Sequence, residues 1–258
     1  MKIFESIGFI GGGRVTRFLL EGWRQAGKMP SDVRVADSNP VVLEALKRDF
    51  ADLAAVTTAE AAACNLVILA VHPPVVKDVL AAIKPSLKHD ATILSLAPKV
   101  TAAAISGALG VARVARMIPN APSAIGKGFN PVAFSTGVDA ETKAALRVLF
   151  NPWGETPEVP EKELESYALI SGMGPTYMWF QWQALRELAV SFGLKPDAAD
   201  RAILKMIEGA AECLLGSGID PLKIMDMIPV KPLKDDEAMV VAAYKAKLTG
   251  LYEKIKNN

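Results

Sequence analysis

Two cysteines and two histidines are all that the 258 residues supply of thiol and imidazole metal ligands. Cys64 and Cys213 lie far apart in apolar surroundings, which argues against a disulfide framework and for reduced thiols in a cytoplasmic protein. With so few histidines a histidine-based metal cluster is set aside, and no metal site is expected. Charge of one sign is also lacking. The 29 basic and 28 acidic residues are interspersed and leave a net charge of +1. That removes both the basic footprint of a nucleic-acid binder and a polyanionic tail. No apolar run reaches the length of a membrane span, and Met1-Lys2-Ile3 runs straight into an apolar segment with no signal peptide in view. Internal repeats and low-complexity tracts are absent too. What the chain does have is apolar bulk. At 51% hydrophobic residues it can bury a full core in one large or two modest domains.

The rest is organised around Ile7-Gly8-Phe9-Ile10-Gly11-Gly12-Gly13-Arg14-Val15-Thr16. The apolar run Ile3 to Ile10 predicts a buried strand; it ends in glycines, and Phe18-Leu19-Leu20 to Trp23 continues as an amphipathic helix. In such a strand, turn and helix, Gly11 permits the tight turn and Gly13 lets a backbone approach a diphosphate. The amides at the helix start then bind the anion. The third small position holds Thr16 in place of Gly or Ala. Asp37 closes a second apolar strand, Val33-Arg34-Val35-Ala36, about twenty residues past the loop, where a carboxylate accepts ribose hydroxyls. A strand-end Asp that caps the helix opening at Pro40 is the plainer alternative.

Helical spacing recurs in Pro40 to Phe50 and in Thr58 to Ala63. The continuous apolar run Leu66 to Val71 then predicts a strand covered on both faces, stopped by His72-Pro73-Pro74. A helix to Leu87, a strand Ala91 to Ser95, a short helix after Thr101 and strands at Val111 to Met117 and Pro131 to Ser135 complete the alternation. The fold class is therefore α/β, a Rossmann-type doubly wound and mostly parallel sheet, with ligands bound beyond the carboxyl ends of its strands. Composition changes near Asn151-Pro152-Trp153-Gly154, and from Glu161 onward no strand is expected. Segments 162–170, 175–192, 196–215, 220–227 and 235–256 are helical in period. This predicts a dinucleotide-binding domain at 1–155 and an all-helical domain at 156–258. The second has apolar residues on more than one helix face, which calls for a homodimer.

Four segments in this order resemble the pyrroline-5-carboxylate reductase family: Ile7 to Gly13, Leu69-Ala70-Val71-His72-Pro73, Arg116-Met117-Ile118-Pro119-Asn120-Ala121-Pro122, and Leu169-Ile170-Ser171-Gly172-Met173-Gly174-Pro175-Thr176-Tyr177. The likeness runs over roughly residues 3 to 225, and the last two segments are the specific ones. It implies an N-terminal domain that binds NAD(P)H and helical domains that interlock in a dimer. It also implies hydride transfer to the C=N bond of 1-pyrroline-5-carboxylate, giving proline. By position it implies cofactor contacts at Phe9, Ile10, Gly11, Gly12, Gly13 and Arg14, and at Asp37, Ser38 and Asn39. Further contacts fall at Thr57 near the adenine, at Ala70, Val71, His72 and Pro73, and at Ser95, Leu96 and Ala97 near the nicotinamide. Asn120 would face nicotinamide and substrate, and Ser171 to Thr176 would line the substrate pocket.

Two departures bear on the substrate. Met173 stands where the family repeats a serine, and the family's Ser-Pro-Gly-Gly-Thr-Thr turn is replaced by Val230-Lys231-Pro232-Leu233-Lys234-Asp235-Asp236. Lys231 or Lys234 is a candidate for a substrate carboxylate, with a solvated loop charge as the alternative. His72, where the family has Lys, is either a cofactor contact or packed on Pro73. Asp37 favours NAD, while Arg14, Ser38 and Asn39 accommodate a 2′-phosphate, so both coenzymes stay open. Trp179, Phe180 and Trp182 read as core or interface, and Met206, Met225, Met227 and Met239 as packing filler. No triad of catalytic His, Asp and Lys is evident, which suits imine reduction better than alcohol oxidation. Two other functions fit a glycine loop beside a rewritten turn: a cofactor-binding sensor with little turnover, and an adenosylmethionine-dependent methyltransferase.

Overall fold

The computed structural model describes residues 4–256, so Ile3 of the expected first strand lies outside the described residues. In chain order the elements of the first part are β1 Ile7–Ile10, α1 Arg14–Gln25, β2 Val33–Ala36, α2 Pro40–Asp49, β3 Ala54–Ala55, α3 Thr58–Ala62, β4 Leu66–Leu69, α4 Val76–Ile83, β5 Thr92–Ser95, α5 Ala102–Leu109, β6 Val114–Met117, β7 Gly128–Phe129, β8 Val132–Phe134, α6 Ala140–Phe150 and β9 Gly154–Glu155. Local chemistry sets many helix starts. Asn39 accepts from Val41 N ahead of Pro40, Thr57 and Glu60 form a reciprocal capping box, and Thr101 and Asp139 cap α5 and α6. The hydrogen bonds from Thr57 hold the Glu60 carboxyl below its usual range.

Seven strands make one sheet in the order β3-β2-β1-β4-β5-β6-β8. All neighbours are parallel except β6 and β8. One row of the sheet runs Ala36, Ile10, Leu69, Ser95, Arg116 across five strands. Four of those strands stop there, so the residues that follow leave the sheet at one height. Successive residues of β1 point to opposite faces, with Phe9 in one buried apolar cluster and Ile10 in the other. At Gly8 helix α3 lies so close that a Cβ would stand 1.9 Å from the Ala61 carbonyl oxygen. Cys64 is buried, and that burial pushes its thiol pKa up, as for an inert core cysteine.

The chain divides into two compact units. One takes the chain up to Met173 together with the segment from Tyr252 on; the other is Gly174–Leu251. The composition change at Asn151 to Gly154 is therefore not where the first unit ends. Trp153 is fully buried there, its ring stacked at 4.8 Å on Trp23 and 5.4 Å on Phe150, and its indole N–H donates to the Leu19 carbonyl at 2.9 Å. β9 then pairs with β7, and Leu164 and Ala168 pack on Ile118 and Ala133. Helix α6 and the β7 to β9 pair are elements that the apolar pattern did not signal.

A buried ionic cluster ties this later segment to the sheet. The Arg116 side chain, 2% exposed, donates to Glu161 at 2.9 Å and to Glu165 at 2.8 Å. The same two carboxylates accept the backbone N–H of Ala102 at 2.7 Å and of Lys99 at 3.2 Å. Lys99 is the one described non-glycine residue with positive φ. Helix α7 Leu164–Tyr167 carries Glu165 and runs into a π-helical turn, Ala168–Gly172.

The second unit holds α8 Pro175–Ser191, α9 Pro196–Gly216, α10 Pro221–Asp226 and most of α11 Glu237–Lys256. No residue of α8 or α10 is buried. Phe180 is 68% exposed, Phe192 79% and Leu215 84%. Met206, Met225, Met227 and Met239 are likewise exposed in the single chain, so they fill no gap within it. Such a surface needs a cover from outside the chain. Among the described residues no helix is long and apolar enough to cross a membrane, and no three His, Cys, Asp or Glu residues are placed to hold a metal ion.

Two stability tests follow from this packing. Trp153→Ala empties the stack between α1 and α6 and should cost about 3–5 kcal/mol in denaturant unfolding. Glu165→Ala leaves a buried guanidinium half-paired and should also cost about 3–5 kcal/mol. Replacing the exposed Glu44 of α2 by Ala serves as the reference for both, and a Glu165→Ala midpoint equal to that reference would remove the cluster's structural role.

Candidate functional site

The loops that leave the common row meet at the carboxyl edge of the sheet. Gly11 N donates to Ala36 O at 2.8 Å, Ala70 N to Ile10 O at 2.8 Å and Leu96 N to Leu69 O at 3.0 Å, which carries the ladder one residue past the strands. Gly11, Asp37, Ala70 and Leu96 therefore begin the four loops side by side. Gly11 has φ +105°, and a Cβ there would stand 2.5 Å from the Ala70 carbonyl oxygen, so only glycine fits. Gly12 is hemmed in by Leu46 at 2.8 Å. Gly13 differs. Its Cβ position has no heavy atom within 4 Å, and its φ of −71° is ordinary.

The start of α1 suits an anion. Gly13 stands at its N-cap with no side-chain cap, and its first turn carries Arg14 and no acid. Thr16 accounts for the third small position: buried, it donates from Oγ1 to Gly11 O at 2.6 Å and closes the turn from below. Asp37 is half-buried beside the loop. Its Oδ2 accepts the Gly12 N–H at 2.7 Å and its Oδ1 the Asn39 N–H at 2.8 Å. An open Gly13, uncapped amides and a fixed carboxylate at the next strand end fit the diphosphate and ribose of a dinucleotide.

The other expected cofactor residues divide by burial. The Phe9 and Ile10 side chains are packed in the two apolar clusters, so only their backbone borders the loop. Leu96 and Ala97 are also buried, and Ser95 Oγ accepts the Ala97 N–H at 3.3 Å. Arg14, Ser38, Asn39, Thr57 and His72 are exposed, while Ala70, Val71 and Pro73 are half-buried at the end of β4. Asn39 and Thr57 spend side-chain oxygens on helix caps.

Asn120 is 7% exposed, and its side chain is committed to the protein. Its Nδ2 donates to Ser171 O at 3.2 Å and its Oδ1 accepts the Phe129 N–H at 3.0 Å. Its own N–H donates to Asn130 Oδ1 at 3.1 Å, which also accepts from Ser123 Oγ at 2.8 Å. Asn120 thus positions the π-helical turn that carries Ser171. The Ser171 hydroxyl donates to Tyr167 O at 3.0 Å. Nothing local in the sequence marks Asn130, Arg116, Glu161 and Glu165; the carboxylates lie 45 and 49 residues from Arg116, and no local pattern joins them.

Thr176 and Lys231 belong to the second unit. Thr176 sits exposed in the first turn of α8. Lys231 lines an apolar cleft of about 1050 Å³ with Cys213, Leu222, Met227 and Leu233.

Residues 6–99 match the family described as NADP oxidoreductase coenzyme F420-dependent. Residues 161–231 match the one described as pyrroline-5-carboxylate reductase dimerisation. Pyrroline-5-carboxylate reductase of Corynebacterium melassecola is 28% identical over 85% of this chain and 83% of its own length. That of Escherichia coli (strain K12) is 29% identical over 87% of this chain and 84% of its own. In fold the chain is similar to the Plasmodium falciparum pyrroline carboxylate reductase with NADP bound, with a TM-score of 0.78 at 22% identity over 98% of this chain and 95% of that one. A dinucleotide-type loop at one end, a matched dimerisation region at the other and relatives aligned along most of the length lead to one conclusion: the chain is similar, over most of its length, to pyrroline-5-carboxylate reductases.

Proposed function

We propose that the protein is an NAD(P)H-dependent reductase that converts the C=N bond of 1-pyrroline-5-carboxylate to the C–N bond of proline. The observation that carries this reading is the gathering of the glycine turn, Asp37 and the β4 and β5 ends on one row of the sheet, in a chain whose residues 161–231 match the pyrroline-5-carboxylate reductase dimerisation region. When bound, the reduced nicotinamide supplies the hydride. This chain's residues do the rest. Gly13 and the first amides of α1 receive the diphosphate, Asp37 receives the ribose, and Ala70 to Pro73 with Ser95 to Ala97 border the nicotinamide.

A protonated imine is already a good electrophile. Its carbon takes the hydride, and its nitrogen keeps the proton and becomes a secondary amine. The protein must therefore hold the two reacting carbons together and keep water out. Asn120 acts by fixing the Ser171 turn. Ser171, Thr176 and Lys231 are the groups assigned to the substrate, Lys231 as the positive charge for its carboxylate. Imine reduction asks no proton abstraction of them: Ser171 and Thr176 offer hydroxyls and Lys231 a cation, and none is needed as a base. The exposed apolar faces of α8 to α11 are assigned to a homodimer, for which the matched dimerisation region also speaks.

Purified protein should oxidise NADH or NADPH when given 1-pyrroline-5-carboxylate and release proline in equal amount; coenzyme binding with no turnover would favour a sensor. Gly13→Val tests the loop. Because that position is open and its φ is ordinary, the variant should melt like the parent yet lose coenzyme affinity by about tenfold or more. Light scattering at micromolar concentration should return twice the 27.5 kDa chain mass, and a monomer mass would count against the assigned interface.

A further inference from the structure

We infer that Asp37 makes this protein select NADH over NADPH; the inference rests on the coenzyme reading above and narrows it. The Asp37 carboxylate is fixed from two sides, by the Gly12 N–H at 2.7 Å and by the Asn39 N–H at 2.8 Å. It cannot swing out without giving up both bonds. Each oxygen still has lone-pair capacity after taking one N–H, so the pair can accept the 2′- and 3′-hydroxyls of an unmodified ribose. A 2′-phosphate offers acceptor oxygens and negative charge at the same place, and like charges held close in a partly desolvated site repel.

The surroundings do little to offset that repulsion. Residues 37–42, Asp-Ser-Asn-Pro-Val-Val, hold no Lys or Arg, and neither do residues 56–62, which add Glu60. The Asn39 side-chain oxygen is spent on Val41 N. Arg17, on α1, is ion-paired with Asp49. Arg14, exposed in the first turn of α1, is the guanidinium adjoining the loop in sequence; the cleft it lines also holds Arg17, Arg24 and Arg48, with the acids Glu21 and Asp49 among them. A cation there would face a fixed carboxylate as well as a phosphate. The glycine turn and the strand end are thus built as one unit in which the negative charge is a permanent part of the binding surface.

The test is equilibrium titration of the full-length protein with NADH and with NADPH, read by nicotinamide fluorescence and by calorimetry in one buffer. NADH should bind about tenfold tighter or more. Asp37→Ser removes the charge and keeps an oxygen for the Gly12 amide; it should tighten NADPH, weaken NADH and close most of the gap. If that variant melts early, Ser38→Arg replaces it as the test. It leaves the Asp37 carboxylate in place and should tighten NADPH, narrowing the gap between the two coenzymes. Parental protein that binds NADPH as tightly as NADH would overturn the inference while leaving the reductase reading intact. An unchanged ratio in Asp37→Ser would do the same. Flat titrations with both coenzymes would overturn the coenzyme reading and this inference with it.

Discussion

The parallel register of β2, β1, β4 and β5 is the constraint on which everything else rests. Because Ala36, Ile10, Leu69 and Ser95 share a row, four loops emerge together, and each begins with a backbone bond to its neighbour. A slip of one residue in β1 would exchange Phe9 and Ile10 between the two apolar clusters and turn the core inside out. The close seating of α3 on Gly8 adds a second lock, since no side chain fits between that strand and the Ala61 carbonyl. The edge that carries the loops is held by the core and not by the loops themselves.

That division explains what could be read from the sequence. The glycine turn, the strand ends and Asp37 were legible because their signals are local: an apolar run, a break, and a polar residue at a set distance. Strand bounds were less so, since β1 begins only at Ile7 and β4 stops at Leu69 though the apolar run goes on. The second role of Asp37, as the anchor of Gly12, lies across 25 residues and left no pattern. The same holds for Asn120 on Ser171 and for Arg116 on Glu161 and Glu165. Trp153 misled for a related reason. Its Asn-Pro and Gly neighbours read as a boundary, whereas its ring is a buried anchor between α1 and α6.

The helical unit was legible in composition and not in contacts. Its helices are where their period puts them, yet Phe180, Phe192 and Leu215 stay in solvent. A sequence pattern reports that a face is apolar; it does not report which molecule covers it.

The loop itself shows how a site can be fixed before its ligand arrives. Thr16 bonds back to Gly11 O and Asp37 holds Gly12 N, so two of the three glycines are tied to the protein. The Gly12 amide is therefore already spent, and an incoming anion must draw on the amides from Gly13 onward and on the helix dipole. This makes Gly13 the position where space matters and Gly11 the position where conformation matters, a distinction that three consecutive glycines hide in the sequence. A turn ordered in advance loses less freedom on binding, and the residue that orders it also brings the charge that discriminates between ribose and its phosphate. Rigidity and selectivity at this edge thus come from the same side chain.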